Sequence, residues 1–307
     1  MSYLLGKNIV ATVTYYDVMD FPLSAFEIWK HLLEYDREKN PLTEPVTLGA
    51  IWAMLHSEQF AGRICEQNGF YFLSGREMLV HKRIQSEKLS VEKLKGMRRL
   101  AMILRFVPYV RMIGATGSLA MKHGVKGSDW DMLVVLRSGK IWIGRTILTA
   151  FLHLIGKRRH GEKISNRACL NYFITDDNLE IATKDLFSAH EYRYLVPLLS
   201  FPLFQIFELK NRWIRSYKPN FSLTQLPSLW LVQEWPRAKG MRALLERIID
   251  FFDLEVWLGS WQKKKIALNP KTHLEGSLID VSDRSLVFLP SPRGPRVFQK
   301  FKERLSV

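Results

Sequence analysis

The chain has 307 residues, of which 47% are hydrophobic and 24% charged. This balance excludes wholesale disorder and predicts two or three folded units at typical domain sizes of roughly 100 to 200 residues. Its 45 Lys and Arg against 30 Asp and Glu give a net charge of +15, a field that attracts polyanions: nucleic acid, nucleotides or an acidic membrane face. Two cysteines, Cys65 and Cys169, are too few for a disulfide framework and have no paired metal-ligand spacing, which predicts a reducing, cytoplasmic setting. The opening MSYLLGKNIVATVTYYDVMD lacks the basic and apolar regions of a secretory signal. The apolar runs from Ile141 to Ile155 and from Tyr194 to Phe207 fall short of the roughly 20 residues of a spanning helix, so no membrane span is expected.

In chain order, Lys7 to Asp20 reads as a helix that Phe21-Pro22 breaks, and Ser24-Ala-Phe-Glu27 is a capping box that opens a second. Thr47 caps a third helix, with Leu48, Ile51, Trp52 and Leu55 at helical spacing. Asn68-Gly69 between two short β-rich runs signals a hairpin. Three short helices and a hairpin over residues 1 to 75 follow the order of a winged-helix domain. Its candidate recognition helix, TLGAIWAMLHSEQF, has neither Lys nor Arg, which argues against reading of DNA grooves and leaves packing or protein contact as the other role. A long polar helix is expected over residues 76 to 106 as a link between units; its Lys and Arg either line a phosphate-binding face or are solvated surface.

Tyr109 to Ala115 is β-rich and runs into Thr116-Gly117-Ser118, where glycine permits close backbone approach and Ser118 adds a hydroxyl suited to phosphate. Alone, such a turn is common in any loop. Gly127-Ser128-Asp129-Trp130-Asp131 then leads into the apolar run Met132 to Leu136. Residues i and i+2 of a strand face one side, so the two carboxylates converge, as Mg²⁺ coordination with substrate phosphates requires. Asp is also frequent in ordinary turns before strands.

Taken together, IGATGSLAMKHGVKGSDWDMLVVL resembles the DNA polymerase beta-like nucleotidyltransferase superfamily, in which Gly-Ser is followed about ten residues later by Asp-x-Asp. YYDVMDFPLSAFEIW and ACLNYFIT extend the resemblance to uncharacterised bacterial nucleotidyltransferase-domain proteins with an N-terminal winged helix. The resemblance implies an α+β fold: a nucleotidyltransferase mixed sheet flanked by helices over residues 107 to 180, with the winged-helix domain before it and a helical module over 181 to 262 after it. It implies Asp129 and Asp131 as catalytic and metal-binding residues for Mg²⁺ or Mn²⁺. Gly117 and Ser118, with Lys126 and Ser128 beside them, are implied to bind the nucleoside triphosphate. The implied reaction transfers a nucleoside monophosphate to an acceptor, whether small molecule, protein or RNA.

Members of this superfamily usually add a third carboxylate from a later strand, either as metal ligand or as general base. In Arg167 to Thr175 the inward candidates are Cys169 and Asn171, and Asn cannot take a proton. Asp176, Asp177 and Glu180 are the nearest acids, in a stretch that also reads as a plain turn. Lys157-Arg-Arg-His160 follows a helix from Lys140 to Ile155 and reads either as a polyphosphate contact or as a solvated loop, while His153 reads as a core histidine. Trp213, Trp230, Trp235, Trp257 and Trp261 read as core packing rather than base-stacking platforms, and residues 263 to 307 as an irregular basic tail. Two other functions stay open: a catalytically degenerate nucleotide or nucleic-acid binder, and a winged-helix transcription regulator.

Overall fold

A computed structural model describes residues 2–35, 37, 41–42, 44–60 and 62–306. The chain begins with α1 (Ser2–Asp17), β1 (Leu23–Ser24), α2 (Ala25–Lys30), α3 (Leu48–Leu55), β2 (Ile64–Gln67) and β3 (Phe70–Leu73), the strands forming a small sheet in the order β1-β3-β2. Local chemistry sets these boundaries. The Ser24 hydroxyl accepts from the Glu27 N–H at 3.2 Å while the Glu27 carboxylate accepts from the Ser24 N–H at 2.9 Å, a reciprocal cap that starts α2. Thr47 accepts from the Ala50 N–H at 3.1 Å and starts α3. Asn68 and Gly69 have φ of 54° and 78°, the left-handed pair that a two-residue hairpin needs.

The long α4 (Met78–Leu104) leads into β4 (Val110–Ala115), α5 (Gly117–Ala120), β5 (Trp130–Leu136), α6 (Ile141–Leu154) and β6 (Ala168–Thr175). Then come α7 (Leu186–Arg193), β7 (Val196–Leu199), α8 (Phe201–Lys210), α9 (Pro236–Asp250), α10 (Glu255–Ala267), β8 (Leu278–Val281), β9 (Ser285–Leu289) and α11 (Gly294–Leu305). Six of these strands form one mixed sheet in the order β7-β4-β5-β6-β9-β8; β5 and β6 are parallel and every other neighbouring pair is antiparallel. Helices cover both faces. Trp130, Met132, Val134 and Leu136 of β5 join a buried cluster with Met97, Leu104, Trp142 and Leu148 of α4 and α6. Leu133 and Val135 join another with Ala189, Tyr192, Phe204 and Phe207 of α7 and α8.

Two expectations are corrected. Residues 181 to 262 are not all helical, because Val196–Leu199 pairs with β4 as an edge strand; its Pro197, opposite Gly114, is tolerated at a sheet edge. Residues 263 to 307 are not an irregular tail. The first of them complete α10, the hairpin β8–β9 extends the sheet beside β6, and α11 seats the fully buried Phe301 against Tyr15 of α1, ring centroids 5.3 Å apart. Val297, Phe301 and Leu305 recur every four residues, an amphipathic stripe that the basic composition masks.

A polar anchor joins α9 to the first strand of the large sheet. The Arg111 guanidinium donates both ways to the Glu246 carboxylate at 2.8 and 2.7 Å, and the Tyr109 N–H donates to it at 2.7 Å. Asp250, one turn on, accepts from the Tyr109 hydroxyl at 2.8 Å and pairs with Lys140 at 2.8 Å and Arg137 at 3.1 Å. Burial opposes the charge on Glu246, but the Arg111 and Tyr109 hydrogen bonds outweigh it and hold the carboxyl below its ordinary 4.5. A lowered folded pKa contributes stability above the unfolded value and loses it as pH falls through the folded one. Glu246→Ala, which strands Arg111, is expected to cost about 3–5 kcal/mol in urea unfolding at neutral pH. The gap to wild type should narrow as pH drops below 4.5; a constant gap would contradict the ion-pair account.

Candidate active site

The site lies at the end of β4 and the starts of β5 and β6, interior strands of the sheet, where they meet their turns. Asp131 sits beside Cys169 in the parallel register of β5 and β6, and the Thr116 N–H donates to the Asp131 carbonyl at 3.0 Å, tying the Gly-Ser turn to the same strand. One ligand atom from each of Asp129, Asp131 and Cys169 lies within 4.8 Å of the others. The Asn171 amide donates to Asp131 Oδ1 at 3.4 Å. The paired aspartates thus converge as the i, i+2 spacing predicts, joined by both side chains singled out on the later strand.

Gly117 favours this arrangement on two counts. Its φ is +64°, and a Cβ there would stand 2.5 Å from Asp131 Oδ2, so only glycine lets the turn pass over the carboxylate. Ser118 follows half-buried, its carbonyl accepting from the His123 N–H at 2.8 Å. Lys126 and Ser128 occupy the turn before β5 and contribute mainly backbone. Their carbonyls each accept from the Lys93 ammonium at 2.9 Å, and the Ser128 hydroxyl accepts from the Val125 N–H at 2.9 Å. The Lys126 side chain is exposed.

Electrostatics sharpen the picture. Burial first, and then the neighbouring Asp129, push the Asp131 carboxyl up to about 6. Burial and the charges of Asp131 and Asp129 push the Cys169 thiol up to about 12, leaving it neutral near pH 7. Such crowding of acids is relieved by positive charge, and Arg159 supplies some: its guanidinium meets Asp129 Oδ2 at 2.6 Å and Cys169 Sγ at 3.3 Å. Arg159 belongs to the Lys157–His160 cluster, which the β5–α6–β6 crossover returns to the aspartates.

The other sequence candidates go elsewhere. Asp176 and Asp177 follow the far end of β6, about 20 Å of strand away from Cys169. There Asp176 accepts from the Ser138 N–H at 2.8 Å, Asp177 pairs with Arg284, and Glu180 pairs with Lys184 at 2.6 Å. His153 is exposed beside His160, not in the core. Sequence reasoning missed Glu191 on α7, whose carboxyl burial and then the charge of Asp131 raise to about 7, with Arg293 opposing. It also missed Lys93, whose ammonium fastens the 126–128 turn and Asn166 Oδ1. Neither carries a local signal, because one acid or lysine within a polar helix is unremarkable until the fold turns it inward.

No family model, curated protein or solved structure matches the chain.

Gly117→Ala places a side chain in the left-handed region and against Asp131. A backbone cost of about 1–2 kcal/mol is expected, read as a lowered unfolding midpoint. An unchanged midpoint would show that the turn relaxes freely and does not pin Asp131.

Proposed function

We propose that the chain is a metal-dependent nucleotidyltransferase, similar to the DNA polymerase beta-like superfamily, which transfers a nucleoside monophosphate from a nucleoside triphosphate to an acceptor hydroxyl. The observation that carries this reading is the convergence of Asp129 and Asp131 beneath the Gly117-Ser118 turn, with no room for a side chain at Gly117. Two carboxylates at one point suit Mg²⁺ or Mn²⁺, hard ions that take oxygen ligands and share them with phosphates. Asp129 and Asp131 would hold the ion, whereas the neutral thiol of Cys169 is a poor ligand for it. Such an ion supplies charge neutralisation on the phosphates and acidifies the attacking hydroxyl.

The chain's own groups fit the remaining tasks. Gly117 and Ser118 offer backbone and hydroxyl donors to the triphosphate, and Arg159, drawn from Asp129 by a competing phosphate, adds a guanidinium for charge on the leaving pyrophosphate. The acceptor oxygen bonds to the α-phosphorus as the bridge to the β-phosphate breaks, and its proton needs a base. Asn171 cannot take it, and Glu191, whose carboxyl feels the charge of Asp131, is the nearest further acid that the α7 side of the site offers for test. The element order α1-β1-α2-α3-β2-β3 supports a winged-helix reading of the N-terminal unit, and the exposed Trp52 of a helix without Lys or Arg favours protein contact over DNA.

A second reading, nucleotide binding without turnover, draws on Asn171 and Cys169 standing beside Asp131 where an acid is usual. One assay separates the two. Protein incubated with α-labelled nucleoside triphosphates, Mn²⁺ or Mg²⁺ and cell extract is expected to transfer label, and the Asp129→Asn/Asp131→Asn variant to lose at least about a hundredfold of that rate. Binding of nucleotide with no transfer would favour the second reading.

A further inference from the structure

The helix α9 is turned the wrong way for a soluble surface, and the turn after it and α10 add exposed aromatics. Met241, Leu244, Leu245 and Ile248 of α9 fall at i, i+3, i+4 and i+7, the stripe by which a helix ordinarily meets its core, and all four are exposed. The buried side of the same helix is Ala238, Arg242 and Glu246, its acid committed to Arg111 and its arginine to the Arg105 carbonyl. At the turn between the helices Phe251 and Phe252 are 85% and 62% exposed, and on α10 Trp257 and Trp261 are 65% and 50% exposed. Leu258, Gly259 and Gln262 form the buried side of α10, Gln262 donating to the Trp142 carbonyl of α6 at 3.0 Å. Single exposed hydrophobics need no explanation; a stripe of them on one helix, followed by exposed aromatics at the turn and on the next helix, does.

Charge identifies what covers this face. Between Pro236 and Ala267 there are seven Lys and Arg against four acids. Glu246 and Asp250 are paired with Arg111, Arg137 and Lys140, and Glu255 accepts from the Trp142 and Ile143 N–H groups at 2.9 Å, so three of the four acids are spent inside the fold. Of the cations, Arg242 is held by the Arg105 carbonyl and Lys263 by Asp283 at 2.8 Å, which leaves five Lys and Arg against Asp253, so what the segment turns outward is apolar and basic. Lys265 lies over the Trp261 ring at 5.1 Å, a cation held at the edge of the aromatic surface. A second copy of this chain would bring the same cations and another +15 of charge against them, whereas an acidic bilayer offers apolar depth to the rings and phosphates to the lysines. Among the described residues no helix is long and apolar enough to cross a membrane, so the face would lie on one.

We propose that α9, the Phe251-Phe252 turn and α10 form a peripheral membrane-binding face specific for anionic lipid, independent of the activity assigned to the aspartate site. The test is flotation of the full chain with phosphatidylcholine vesicles with and without phosphatidylglycerol. Binding to the mixed vesicles is expected, falling at least about tenfold in Phe251→Ser/Phe252→Ser, since each ring contributes more than a tenfold step when buried. Lys264→Glu/Lys265→Glu and raised salt are expected to weaken it severalfold, as screening of surface charge requires. Both variants alter exposed side chains, and unchanged unfolding midpoints would show them folded. Failure of the wild type to float with any vesicle, equal binding to neutral vesicles, or a dimer that the Phe variant dissociates would overturn the proposal.

Discussion

Parallel pairing of β5 and β6 is the constraint on which the site depends. Parallel neighbours cannot be joined by a tight turn, so the chain must leave the end of β5, cross a face of the sheet as α6 and return to the start of β6. That return brings the residues before β6 alongside those before β5. In consequence Arg159 meets Asp129, Cys169 lies beside Asp131, and Asn166 joins the turn that Lys93 clamps. The same geometry sends Asp176 and Asp177 to the opposite end of the strand.

Around this site the protein spends buried polar groups on positioning. Glu255 caps the first turn of α6, and Gln262 bonds to the same turn, so α10 fixes the crossover that delivers Arg159. Glu246 and Asp250 fix α9 through β4 and the turn after β5. Because the inner face of α9 is given to Arg242 and Glu246, and that of α10 to Leu258, Gly259 and Gln262, the remaining apolar residues of both helices are left outside. The inversion is thus a consequence of how the helices are anchored, and the two faces of one helix serve different ends.

Much of this was legible in the sequence where the signal was local. The Ser24 capping box, the Thr47 cap and the Asn68-Gly69 hairpin each declare themselves within four residues, and all three are present as read. The convergence of Asp129 and Asp131 is the i, i+2 alternation of a strand carried one residue ahead of β5, which begins at Trp130. What escaped depends on tertiary placement. β7 is a four-residue apolar run containing proline, indistinguishable by period from a helix segment until β4 pairs with it. Glu191 and Lys93 sit on polar helices whose inward side is decided by the sheet, and the outward turn of Trp257 and Trp261, expected in the core, follows from Leu258, Gly259 and Gln262 taking the inward side of α10. In residues 263 to 307 the basic composition masks the spacing of Val297, Phe301 and Leu305, which only packing against α1 reveals as a helix face.

The central claim is that Asp129 and Asp131 together hold a divalent ion that nucleotide shares. Electron paramagnetic resonance of Mn²⁺ titrated with protein tests it most directly, because free Mn²⁺ is counted without any need for turnover or acceptor. The account predicts that wild-type protein removes the free-ion signal while Asp131→Asn leaves it standing, and that with a non-hydrolysable nucleoside triphosphate wild type, but not Asp131→Asn, depletes it beyond what the nucleotide chelates in a protein-free control. Equal depletion by wild type and variant, or no depletion beyond that control by either, would contradict it.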